Sequence, residues 1–339
     1  MAPELILFAF MAVGFVLYAV MGGADFGAGI WEFTGLLHAS KDEQDLTNKA
    51  MGPIWETNHV WLIFVIVVLF SAFPAAFAGI SRALWAPLLL GLAGIVFRGT
   101  GFALRYYAAG EERLQRVWGR VFAFASMLAP FFLGAAAGAV ASGALDIDAR
   151  GQFHGDYLTG WLTPFSIYIG LFSVGLCAYL AAVYLTRDAS RENKAELIEL
   201  WRKRGLAMGL WMGVFALVGL AMLATGAPAL WAGFVARSWP LAIVSGAAGV
   251  FSLWALRQRH FGAASIGSAT AVAAVAAGWA VAQYPLLLPP NVTVEAVKAP
   301  DTVLWAMIYA VCGGALILVP SLLYLFYVFK GAQRVEVQE

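Results

Sequence analysis

Apolar residues along this chain run in long, nearly unbroken blocks rather than at the spacing of an amphipathic helix or strand. A block of about 20 apolar residues matches the hydrocarbon thickness of a bilayer when it is helical. Nine such blocks are legible, at roughly 5–31, 57–79, 83–104, 121–141, 163–185, 206–225, 240–256, 263–282 and 303–329. The pattern predicts an all-α, polytopic membrane protein with about nine transmembrane helices. The first block begins almost at Met1 without a preceding basic residue or a small-residue cleavage site, so it reads as a membrane helix and not a removable leader.

Composition strengthens this picture. The chain of 339 residues is 62% hydrophobic and 12% charged, against about half and about a quarter in soluble domains. Its net charge of +1 and the lack of a large basic patch exclude nucleic acid as a partner. Two cysteines, Cys177 and Cys312, both lie in apolar blocks and form no CxxC pair, so they are expected to be core residues.

Charge between the blocks sets an orientation. Of 21 lysines and arginines, Arg98 lies inside a block. Only Arg82, Arg150, Arg237 and Lys298 fall on the side of the even-numbered loops, and the other sixteen fall on the opposite side. The positive-inside rule then puts the N-terminus outside and the C-terminus in the cytoplasm. The outer loops differ in character. "SGALDIDARGQFHGDYLTGW" is acidic and turn-rich, and the Pro-rich "QYPLLLPPNVTVEAVKAPDT" is expected to pack as a cap. The inner stretch "TRDASRENKAELIELWRKRG" reads as a short charged helix at headgroup level.

Polar groups inside a membrane are costly, so the few present carry information. Asp25 sits in "MGGADFGAGIWEF", among Gly22, Gly23, Gly27 and Gly29. Small residues let helices approach closely, which predicts that this carboxylate faces protein. The second block opens with "GPIWETNHVWLI", whose Trp55, Glu56, Asn58 and His59 form a polar knot. Arg98 lies toward the cytoplasmic end of the third block, and Glu32 follows Asp25 toward the interface. The topology places Asp25, Glu56 and Arg98 at similar depth. Two readings of Glu56 stand side by side. Pro53 and Glu56 suit the first turn of a helix, where the dipole favours an acid. Alternatively Glu56, with His59 one turn away, conducts protons. Asp25 likewise is either a structural partner of Arg98 or part of a proton path, and the two roles are compatible.

Haem ligation in this chain finds no support in the pattern. His38, His154 and His260 fall in loops or at block ends, and no second histidine faces His59 at mid-membrane. Trp31, Trp55, Trp61, Trp85, Trp118, Trp161, Trp201 and Trp305 fit interfacial belts.

The segments "GGADFGAGIWEF", "GPIWETNHVWLI", "FSAFPAAFAG" and "FRGTGFALRYY" together resemble subunit II of the cytochrome bd-type quinol oxidases. The likeness is specific over about the first 110 residues, and beyond them rests on loop sizes, span number and the "LVPSLLYLFYVFKG" ending. Many relatives carry Asp-Gly where this chain has Glu56-Thr57, and Gln in place of His59, so the acid is kept while its length changes. The resemblance implies two four-helix bundles plus a peripheral helix, here 1–141, 163–282 and 303–339 of a single membrane domain 1–339. It implies a heterodimer with a haem-bearing subunit I that holds two b-type haems and one d-type haem, takes electrons from quinol and reduces oxygen to water. This chain would itself bind no haem or metal, would stabilise subunit I, and would line a cytoplasmic proton path through Asp25, Glu56 and His59, with Arg98, Trp55 and Asn58 beside it. Some relatives hold a structural quinone in this subunit, and a small accessory subunit is compatible with the pattern. The location implied is a bacterial or archaeal plasma membrane.

Two other functions compete with this one. A stand-alone proton-coupled transporter would show internal repeats and paired broken helices at mid-membrane, and neither is visible. A purely structural membrane scaffold remains open if the acids only pair helices.

Overall fold

The computed structural model describes residues 2–35, 41–51, 55–108 and 111–331, without the side chains of 34–35, 41, 50–51, 55–57, 106 and 326–331. Pro53 and His38 therefore lie outside the described residues, as do the side chains of Trp55 and Glu56. Among the described residues the chain is all-α apart from one small hairpin and an isolated bridge between Ile147 and Phe153. Among the described residues eight helices are long and apolar enough to cross a membrane, and a ninth apolar stretch is a helix pair broken at a sharp bend.

Helix α1 (Pro3–Gly35) is followed by a short helix α2 (Lys41–Met51) that hydropathy did not separate from its loop. Its charged sequence hides one apolar anchor, Leu46, which is 1% exposed. Helix α3 (Trp55–Ala72) then ends abruptly, and α4 (Pro74–Ala83) leaves at 117° to it. The stretch expected as one span over 57–79 is therefore two helices broken at Pro74. Pro74 has no N–H to continue the ladder, and a residue before proline is pushed out of the α region. Phe73 accordingly adopts φ −134° and ψ 58°.

Helices α5 (Trp85–Tyr107) and α6 (Glu112–Ser142) follow, and α6 ends at Gly143 in the left-handed region, at φ +74°. Thr163 caps α7 (Pro164–Arg191) by accepting from Ser166 N at 3.1 Å. The charged stretch 186–205 is not a separate helix. It is the end of α7, a turn through Asn193 at φ 54°, and the start of α8 (Ala195–Gly226).

The seventh span also begins earlier than hydropathy indicated. α9 (Pro228–Gly233), a π-turn over Phe234–Ser238 and α10 (Trp239–Arg257) form one 30-residue stretch. Arg237 disguised it as a loop, yet its guanidinium donates to the carbonyls of Ala282 (3.0 Å) and Tyr284. Helices α11 (Phe261–Gln283) and α12 (Asp301–Gly331) complete the set.

The Pro-rich segment between them packs as a cap. Strands β1 (Leu286–Leu288) and β2 (Val292–Thr293) pair antiparallel, and Leu287, Leu288, Val292, Val294 and Val297 bury beside Leu7, Val68 and Phe73. The Ala72 carbonyl, freed by the break at Pro74, accepts from Ala299 N at 2.8 Å. A covered helix break needs such a partner, because lipid offers none.

Helix α1 is the hub and packs against α3, α6, α7 and α11. Two glycines make this possible. A Cβ on Gly27 would lie 1.9 Å from the Cys177 carbonyl oxygen of α7, and one on Gly29 would lie 2.1 Å from Ser126 Oγ of α6. One sequence expectation fails at the side-chain level. Cys312 is exposed, and with Phe10, Trp61 and Val311 it lines an apolar cleft between α1, α3 and α12. Trp161 and Trp201, two of the residues placed in the interfacial belts, pack inside the chain and are 7% and 1% exposed.

Candidate functional site

Asp25 is buried where α1 meets α3, as its glycine surroundings predicted. Asn58, at the end of the first turn of α3, donates its side-chain amide to the Asp25 carboxylate, and reaches the Met21 carbonyl at 3.4 Å. Asn58 is itself only 3% exposed, and its Oδ1 has no protein partner among the described residues. The hydroxyl of Tyr18 is likewise buried and without a partner there.

Arg98 of α5 is 2% exposed. A buried charge requires compensation, and here it comes from several sides. The guanidinium lies over the Phe26 ring at 5.0 Å and the Phe122 ring at 5.5 Å. Asp25, Tyr18 and Cys177 act on it electrostatically. The site therefore unites α1, α3, α5 and α6 around an acid, an amide and a guanidinium.

His59 is half-buried, with its ring 5.7 Å from Phe26 and 6.1 Å from Tyr18, centroid to centroid. It borders the Asp25 site. Helix α3 carries Glu56 and Trp55 one turn further out, but their side chains lie outside the described residues.

A second polar layer, which sequence reasoning did not single out, lies toward the C-terminal end of α1. Arg105 of α5 donates to Glu32 and to Asn48 of α2. Arg204 of α8 pairs with Glu43 of α2 and sits over the rings of Trp201 (4.6 Å) and Trp31 (5.2 Å). Trp31 Nε1 in turn donates to the Ala178 carbonyl at 2.7 Å. The signal was present in the numbering. Glu32 stands seven residues after Asp25, and Arg105 seven after Arg98, so each helix repeats its charge two turns on, along one face.

The described histidines do not fit a haem-binding pair. His154 lies 3.5 Å from Asp148 in the α6–α7 loop, and His260 sits beside Trp254 at the α10–α11 turn. Alternation of the helices puts those two at opposite ends of the bundle. His59 packs among aromatic rings, and the described residues hold no group of three or more metal-type ligands.

A family model described as cytochrome bd terminal oxidase subunit II matches residues 3–329. The cytochrome bd-I ubiquinol oxidase subunit 2 of Escherichia coli strain K12 is 30% identical over 180 residues, 52% of this chain and 46% of that one. Cytochrome bd ubiquinol oxidase subunit 2 of Bacillus subtilis strain 168 is 28% identical over 179 residues, 53% of this chain and 52% of that one. The matched stretch thus spans about half the length of these two relatives. Among solved structures, a chain of the bd oxidase from Geobacillus thermodenitrificans superposes with a TM-score of 0.81, covering 97% of this chain and 99% of that one. At 24% identity that likeness speaks for the fold. The family match takes in every helix that builds the Asp25 site, and the chain belongs to the cytochrome bd terminal oxidase subunit II family.

Proposed function

We propose that this chain is the haem-free subunit II of a quinol:oxygen oxidoreductase in a bacterial inner membrane, and that it serves its partner in two ways. It packs against a haem-bearing subunit I, and it carries part of the proton path for reduction of oxygen to water. The excess of Lys and Arg on the even-loop-opposed side supports an outer N-terminus and a cytoplasmic C-terminus. The two-bundle division at about 141 and 163, and the ninth helix as a peripheral element, belong to the same reading.

The observation that carries it is the buried Asp25 with its Asn58 donor and neighbouring Arg98. Haems of the partner supply the oxygen chemistry, and that chemistry consumes protons. An unaided charge crosses hydrocarbon only at large cost. Asp25 holds a proton acceptor inside the bundle, with the buried guanidinium of Arg98 acting on it electrostatically. The unpartnered Asn58 Oδ1 and Tyr18 hydroxyl offer hydrogen bonds to the waters such a path needs. Glu56 at the start of α3 is the second acid of the path, and His59 borders it.

The test is to tag the chain in its native host, purify it in mild detergent and record the reduced-minus-oxidised spectrum. A second large subunit arriving with b- and d-type haem bands supports the oxidase. A colourless chain that stays stable alone contradicts it and favours transport. Glu56→Gln in the same complex separates a proton path from a scaffold, by slowing oxygen uptake while the haem spectrum stays intact.

A further inference from the structure

Three polar groups form a row along one face of α1. Asp25 and Glu32 are seven residues apart, which is two helical turns and about 10 Å. That gap is too wide for a direct hydrogen bond. Gly29 lies between them on the same stripe, and Ser126 of α6 fills the notch that its missing side chain leaves. Ser126 is fully buried, and its hydroxyl donates to the Phe122 carbonyl at 2.7 Å. The order along the face is acid, hydroxyl, acid.

The neighbouring helix repeats the arrangement. Arg98 and Arg105 are also seven residues apart on α5. Phe122 lies between them, 5.5 Å from one guanidinium and 5.1 Å from the other. Arg98 thus serves the inner acid and Arg105 the outer one. The groups facing Glu32 are Arg105 from α5, which also donates to Asn48 of α2, the charge of Glu43 from α2, and the bare backbone of Gly119 from α6.

From this geometry we propose that Glu32, Ser126 and Asp25 are a proton row, with Glu32 as the outer acid and Ser126 as the hydroxyl that bridges to Asp25. It rests on the proton-path reading above and adds a second entry acid besides Glu56. Glu32 accepts a proton from bulk water at the cytoplasmic end of α1. Ser126 takes that proton on its oxygen while releasing its own toward Asp25, so the hydroxyl is regenerated and turns back to Phe122. Asp25 becomes neutral, and Glu32 returns to its anionic form beside Arg105.

The experiment uses the assembled oxidase complex carrying Glu32→Gln, Ser126→Ala or Asp25→Asn, and measures oxygen uptake with saturating quinol, the quinol KM and the haem spectrum. The row predicts turnover reduced about tenfold or more in Glu32→Gln, and several-fold in Ser126→Ala, with haem content and KM unchanged. Glu32→Asp, which keeps a titratable group, retains most of the rate. Wild-type turnover in Glu32→Gln or in Ser126→Ala, beside a slowed Asp25→Asn, overturns the row and leaves the Asp25 role standing. Wild-type turnover in all three overturns both. If Glu32→Gln does not assemble, Glu32→Gln/Arg105→Gln replaces the whole ion pair by neutral hydrogen-bonding groups. A haem-loaded but slow double variant supports the row, and a fast one overturns it.

Discussion

The side-chain amide of Asn58 donates to the carboxylate of Asp25, joining two helices across 33 residues of sequence. The bond fixes the register of α3 against α1 and leaves the Asn58 carbonyl oxygen free for a further donor. Replacing Asn58 by Ala removes one donor from a buried carboxylate. An unmet buried group of this kind costs about 1–3 kcal/mol. The purified complex carrying Asn58→Ala is expected to melt at lower temperature, as read by loss of its haem signal on heating.

Arg98 should be less replaceable than its position in a membrane helix implies. It is held over two rings and acts on Asp25. Arg98→Leu leaves a buried acid without its cation, a change worth about 3–5 kcal/mol when one partner of a buried pair is removed. The expected outcome is little assembled complex in the membrane. Arg98→Lys keeps the charge but loses the planar stacking, so it should assemble with reduced thermal stability. Haem content per milligram of membrane protein checks both.

Gly27→Ala tests the close approach of α1 and α7. The added methyl would meet the Cys177 backbone carbonyl at 1.9 Å, and backbone cannot move aside cheaply. Overpacking of this kind costs about 1–3 kcal/mol or more. The variant is expected to lower the yield of folded chain, whereas Gly246→Ala, where a Cβ meets nothing within 4 Å, should leave it unchanged.

Outside the membrane, Asp148 organises the α6–α7 loop. Backbone N–H donors, first Gln152 and then Arg150, together with His154, hold its carboxyl below the usual aspartate range. A depressed folded value contributes stability above the ordinary pKa of about 3.9, and that contribution is lost as pH falls through the folded value. Protease cutting within 143–163 should therefore rise below about pH 4 in the native protein. In Asp148→Asn the dependence on pH over that window should flatten.

Much of this architecture was legible before any coordinates. Long apolar blocks gave the spans because lipid demands continuous hydrogen-bonded helices. The glycines around Asp25 correctly indicated a carboxylate facing protein. The misses have distinct causes. Pro74 lies inside an apolar run, so composition continued the span where backbone chemistry ended it. Arg237 looked like a loop residue because hydropathy cannot see the carbonyls of Ala282 and Tyr284 that satisfy it. The Glu32–Arg105 layer was overlooked because each residue alone resembles an ordinary helix-end charge. Only the shared seven-residue spacing of α1 and α5 relates the two layers.

The central claim is that a buried carboxylate in this chain passes protons to an oxidase. The most direct measurement is oxygen uptake by the purified complex carrying Asp25→Asn, alongside its reduced-minus-oxidised spectrum. The account predicts a full haem spectrum with turnover lowered at least about tenfold. A complex with intact haems and wild-type turnover would contradict it, and would leave Asp25 as a helix-packing partner of Asn58 and Arg98.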